Sequence, residues 1–345
     1  MEMLSILRKW ETIGILLAAT VLVAIMAWSG FAIGIPRGTL GEPIETETRC
    51  FGRLLIDVPK GAQTVCDYKL MGSTVQTISG VNRSQYEQRV RSQQTKLLET
   101  PHTQGETLFV DRDDISANHV TLISWASAAS RRIYDYREYQ YLPEQQILYV
   151  WLGQGTANAA SLESAREAQR RWSNRLQYRD SLEIPSTPGF CITCGFVATD
   201  AVHQEEMTVG FVIPGYPKVS VALNSFVTAY DMEARAFEKV DKLKRHGVQI
   251  IRDRKKNWQG SPAHELLIKY KVDGVWHYEF EWRASSKAHT AEQPFVSLSL
   301  HSDSRPPEDP NPSLAPREPL GQEDLLVIWD RLVSSIRPQV GEGSA

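Results

Sequence analysis

Hydrophobic and polar positions along this chain fall into three patterns. The first is a single unbroken apolar run. Thr12 to Ile35 contains no Asp, Glu, Lys, Arg or His. As a helix these residues would extend about 36 Å, enough to cross a hydrocarbon layer of roughly 30 Å. The second pattern is short alternation, which predicts strands over Phe51–Val58, Thr74–Ile78, Thr107–Val110, His119–Trp125, Ile133–Tyr141 and Gln146–Leu152. It resumes at Met207–Ile213, Lys218–Phe226, His264–Val272, Val275–Trp282 and Phe295–Leu300. Asp273-Gly274, between two of these runs, is a strong two-residue hairpin signal. Phe190–Val197 is a short apolar segment around two cysteines. The third pattern is helical spacing. It predicts helices over Ser84–Leu98, with Ser84 as N-cap and Glu87 completing a capping box, and over Ser161–Leu176. Two more follow at Asp231–Arg245, with Gly247 just past its end, and at Leu325–Ile336.

The two halves of the chain repeat this order: a cysteine-bearing strand, a strand, a helix, several strands and a closing helix. Arg171-Trp172-Ser173-Asn174-Arg175-Leu176 also resembles Ile328-Trp329-Asp330-Arg331-Leu332. The expected architecture is therefore α+β: an N-terminal transmembrane helix followed by two related α+β domains with mainly antiparallel sheets. Residues 1–35 form the membrane anchor and 36–48, with Pro36, Gly38, Gly41 and Pro43, a linker. Residues 49–185 and 186–338 are the two domains, and 339–345 a disordered tail. Ser302–Gln322 holds six of the 18 prolines and reads as a long loop.

Composition adds a compartment and removes some functions. At 42% hydrophobic and 23% charged residues the chain is average for folded protein. A net charge of −3 argues against nucleic acid as a partner. Arg8 and Lys9 before the apolar run favour an N-terminus in the cytoplasm, so a single-pass anchor there places the bulk of the chain outside it, in a periplasm or secretory space. The four cysteines, Cys50, Cys66, Cys191 and Cys194, all follow that run, as expected where disulfides form. Four cysteines allow three pairings, and spacing does not choose among them.

Candidate chemistry is sparse. Cys191-Ile192-Thr193-Cys194 has thioredoxin-like spacing, but an extended-looking run follows it, where the redox motif requires a helix N-terminus. His277, Glu279 and Glu281 share one strand face at period two, opposite Trp276, Tyr278, Phe280 and Trp282. His264-Glu265 lacks the second histidine of a zinc protease, and Gly260-Ser261-Pro262-Ala263-His264 reads as a turn. There is no nucleophile elbow and no phosphate-binding glycine loop. No catalytic, cofactor-binding or metal-ligating residues are expected. Tyr134, Tyr136, Tyr139, Tyr141 and Tyr149, crowded with Arg131, Arg132 and Arg137, suit either a protein interface or ordinary strands.

The stretch Cys50-Phe51-Gly52-Arg53-Leu54-Leu55-Ile56-Asp57-Val58-Pro59 resembles the opening of the type VI secretion lipase-immunity proteins, partners of the fourth class of antibacterial phospholipase effectors. Gly189-Phe190-Cys191-Ile192, Tyr278-Glu279-Phe280-Glu281-Trp282, Pro294-Phe295-Val296-Ser297-Leu298 and the ending Trp329 to Arg337 resemble the same family in the same order. The resemblance implies a non-enzymatic protein that neutralises a phospholipase toxin in the periplasm, gripping it with two domains and holding its lid closed. It also implies that Cys50 and Cys191, on the family's two cysteine positions, pair with each other. Cys66 and Cys194 are left as a second pair, although Cys194 departs from the family pattern. No toxin-binding residues carry over. The rival readings are a membrane-anchored envelope scaffold and a thiol-disulfide oxidoreductase using Cys191 and Cys194.

Overall fold

Alternating residues dominate the described chain, and strands follow from them. The computed structural model describes residues 44–157, 163, 166, 167, 170, 173–199, 204–234, 247–303 and 320–339. The first strands are β1 (Thr46–Phe51), β2 (Leu54–Pro59), β3 (Thr64–Leu70) and β4 (Ser73–Ser79), followed by helix α1 (Arg83–Glu99). Then come β5 (Phe109–Ser116), β6 (His119–Ser127), β7 (Ser130–Leu142), β8 (Ile147–Thr156), β9 (Leu176–Tyr178), β10 (Gly189–Ile192) and β11 (Gly195–Ala198). The last group is β12 (Glu205–Ile213), β13 (Tyr216–Phe226), β14 (Gln249–Trp258), β15 (Ser261–Val272), β16 (Val275–Ala284) and β17 (Phe295–Asp303), then helix α2 (Gln322–Ser335) and β18 (Arg337–Pro338).

This corrects the expected fold class. The described chain is mostly β-sheet, with α1 and α2 as its complete helices, rather than a pair of α+β domains. Among the described residues no helix is long and apolar enough to cross a membrane. No described helix supports the expected single-pass inner-membrane placement. The apolar run 12–35 and most of the linker lie outside the described residues.

Two compact units divide the chain, and they are not its consecutive halves. One comprises residues 67–205, the other residues 1–66 together with 206–345. In the first, the sheet order is β3-β4-β8-β7-β6-β5. In the second it is β12-β13-β17-β16-β15-β14. Numbered one to six along the chain, both sheets run one-two-six-five-four-three, and the strand pairs within each are antiparallel. Each unit also has a three-stranded sheet of the same design, a hairpin joined by a short strand that follows a helix: β10-β11-β9 in one and β1-β2-β18 in the other. Hairpin β1–β2 lies beside the end of the chain, where β2 pairs with β18 at Leu55–Arg337 and Leu54–Pro338.

In the unit 67–205, α1 lays Tyr86, Val90 and Leu97 on Val120, Leu122, Tyr139, Tyr141, Leu148 and Val150. Tyr86 stacks on Tyr141 at 5.1 Å between ring centroids. The N-cap of α1 lies two residues before the expected one. Asn82 Oδ1 accepts from Gln85 N while Gln85 Oε1 accepts from Asn82 N, both at 2.9 Å, so the capping box is Asn82/Gln85 rather than Ser84/Glu87. The expected helix Ser161–Leu176 lies partly outside the described residues. Glu163, Arg166, Glu167, Arg170 and Ser173 are helical, and Leu176 already belongs to β9.

In the other unit, α2 buries Leu325, Ile328, Trp329 and Leu332, as its spacing predicts. Trp329 meets Phe280 edge-on at 5.8 Å, and Trp258 meets Trp282 at 5.7 Å. The β15–β16 hairpin turns at Asp273-Gly274, both with positive φ, as that dipeptide predicts. The helix expected over Asp231–Arg245 lies mostly outside the described residues, and its first residues are not helical: Met232 bridges to Ser286. Strand β14 was hidden in the sequence by its charged run Arg252-Asp253-Arg254-Lys255-Lys256.

Candidate interaction surface

The residues singled out by sequence do not converge on a reaction centre. His277, Glu279 and Glu281 do lie along β16, but each has an ordinary neighbour. Tyr270 Oη donates to Glu279 Oε1 at 2.5 Å, and His277 stacks on Tyr270 at 5.4 Å. Burial and the adjacent Glu279 carboxylate push the Tyr270 phenol up. Glu281 pairs with Arg283 and is nonetheless pushed up, chiefly by burial. His264 contacts Asp253 at 2.7 Å, and Ser261 opens β15. Among the described residues no group of three or more His, Cys, Asp or Glu side chains is placed to hold a metal ion.

Cys50 and Cys191 are both buried and disulfide-bonded, whereas Cys66 and Cys194 are thiols. No bridge therefore joins Cys66 to Cys194. Cys50 precedes the last residue of β1 and Cys191 the last residue of β10, so they hold matching positions in the two hairpins. Cys194 sits in the β10–β11 turn at φ 53°, not at a helix N-terminus. Burial pushes its thiol up, against the pull of a Ser79 hydrogen bond and the Arg179 charge. Thioredoxin-type chemistry needs the opposite shift.

The tyrosine-rich stretch resolves mainly into core. Tyr136, Tyr139, Tyr141 and Tyr149 are buried. Tyr134 is half-buried and stacks on Trp125 at 4.5 Å, and the Arg131 guanidinium lies 5.6 Å from the Trp125 ring centroid.

Two constellations have no sequence signal. Glu265, fully buried on β15, receives Arg252 Nη1 at 2.9 Å, Arg254 Nε at 2.8 Å, Lys256 Nζ at 3.3 Å and Trp329 Nε1 at 3.2 Å. Arg252 also binds Asp330 of α2 at 2.5 Å. Burial alone would raise the Glu265 carboxyl, but hydrogen bonds from Arg254 and Arg252 more than reverse it and hold it below the usual carboxylate range. These charges lock β14, β15 and α2 together and leave no open site.

The second constellation is a braced surface loop after β9. Arg179, 3% exposed, donates Nη1 to the carbonyls of Ser181 (3.4 Å) and Glu183 (2.5 Å). Its Nη2 reaches Ile192 O at 3.2 Å and its Nε reaches Gly195 O at 3.3 Å. Asp180 Oδ1 accepts from Leu182 N at 2.9 Å. Burial lowers the Arg179 pKa, but four carbonyl partners satisfy its fork. What projects from this loop is apolar: Tyr178, Leu182 and Ile184 are 45%, 52% and 43% exposed.

Comparison with known proteins gives a consistent picture. The family model described as the Tle cognate immunity protein 4 C-terminal domain matches residues 183–341. The apo structure of immunity protein TplEi of T6SS from Pseudomonas aeruginosa is 26% identical, with a TM-score of 0.73 over 85% of this chain and 97% of that one. The crystal structure of the Tle4-Tli4 complex gives 26% identity and a TM-score of 0.74, again over 85% and 97%. TplEi complexed with "L" peptide gives 25% and 0.68, over 86% and 99%. No curated protein sequence matches.

Proposed function

Through residues 183–341 the chain belongs to the Tle cognate immunity protein 4 family of type VI secretion lipase-immunity proteins, and on that premise we propose that it binds and sterically inhibits a cognate phospholipase effector. The single observation carrying this reading is structural similarity to the Tle4-Tli4 complex at 26% identity over 97% of the matched chain. Inhibition in this proposal is by occupancy: the bound protein blocks opening of the effector's lid.

In the same proposal Cys50 pairs with Cys191. The chain has four cysteines, two of them disulfide-bonded and two thiols. Peptide mapping without reductant should then yield one linked pair containing these two residues.

The function is tested by mixing the purified chain with the phospholipase encoded beside it. Lipase activity should fall to background at equal molar ratio, and the two proteins should co-elute. Full lipase activity in a molar excess of this chain would refute the reading.

A further inference from the structure

We infer that the braced loop Tyr178–Ile184 is a contact surface for the effector, presenting Tyr178, Leu182 and Ile184 to an apolar pocket with a cationic rim. This rests on the proposed inhibitory function.

Exposed apolar side chains are normally scattered singly. Here, of nine large hydrophobic residues exposed by more than a third among the described residues, three fall within 178–184. Their exposure gives the core nothing. The loop is fastened from below by a buried arginine with four carbonyl partners.

That fastening has a direct consequence for binding. A loop whose backbone is already fixed loses less conformational freedom when it meets a partner, and rigid apolar anchors are the usual centres of binding energy. The occupant's chemistry follows from the flanks. Asp180 and Glu183 are exposed beside the apolar residues, so the loop is anionic, and a partner pocket complementary to it is apolar inside and basic at its edge.

The test measures binding of the full chain to the purified phospholipase encoded beside it, by calorimetry or surface-based kinetics. Leu182→Ser with Ile184→Ser should weaken binding by about tenfold or more while the unfolding midpoint stays put, since both side chains are exposed. Glu183→Lys should slow association at low salt and lose that effect as salt rises. Val327→Ser, at a 69% exposed position on α2, is the control and should bind as wild type. Wild-type affinity in the double variant overturns the inference, as does an equal loss at Val327. A wild-type chain that fails to bind overturns the functional reading and this inference with it, so the two failures are distinguishable.

Discussion

Replacing Glu265 by Gln removes the one anion toward which Arg252, Arg254 and Lys256 converge. The amide keeps the shape of the carboxylate but turns one oxygen into a donor facing other donors. Breaking a buried ion pair from one side costs on the order of 3–5 kcal/mol. Arg252 and Arg254 retain Asp330 and are partly exposed, so the lower end applies, about 3 kcal/mol. At an m-value of about 2 kcal/mol/M, the urea midpoint of the unit holding α2 should drop by roughly 1.5 M. Hydrogen exchange should show the loss in β14, β15 and α2, with residues 67–157 unaffected. The pH dependence is a second check. The folded carboxyl lies below its ordinary range. Its contribution is therefore full above the unfolded carboxylate value of about 4.3 and is lost as pH falls through the lower folded value. The gap between wild type and variant should be widest near neutrality and close in acid. A midpoint shift below about 0.3 M at pH 7, or a gap that widens in acid, would refute the account.

Other outcomes follow from single features. Trp329→Ala empties a fully buried site against Phe280 and removes the indole donor to Glu265; it should cost about 3–5 kcal/mol by chemical denaturation. Asn82→Ala breaks the capping box of α1 and should cost about 1 kcal/mol, with faster amide exchange in the first helical turn. Gly274→Ala meets no atom within 4 Å, so its cost, about 1 kcal/mol in the unfolding free energy, is that of φ +83° alone.

Local patterns in the sequence carried a good deal of this structure. The spacing of Leu325, Ile328, Trp329 and Leu332 marks α2, and Asp273-Gly274 marks its hairpin, because both signals depend only on nearby residues. Of the expected repeat, the succession of strands recurs in the two units. Strand β14 was not legible, since an edge strand that places Arg252, Arg254 and Lys256 over a buried Glu265 has the composition of a loop. The fold class erred for a related reason: predicted helices drew attention while long strands such as β7 and β15 were only partly visible. Arg179 is one arginine among many until its carbonyl partners come from residues distant in the chain. The partition into units was hidden too, because pairing of β2 with β18 joins residues nearly the whole chain apart.

That last pairing sets a timetable for biosynthesis. Hairpin β1–β2 leaves the ribosome among the first described residues, yet the strand that completes its sheet is among the last. At roughly 5–20 residues per second the delay is tens of seconds. The pairings from β4 to β8 are complete long before then, so that part of the chain can fold while synthesis continues. The early hairpin must wait with the edge of β2 uncovered, and a chain released before Arg337 should leave residues 44–59 open to protease while 67–157 resist it. The arrival of β18 is thus registered at β2, far earlier in the chain.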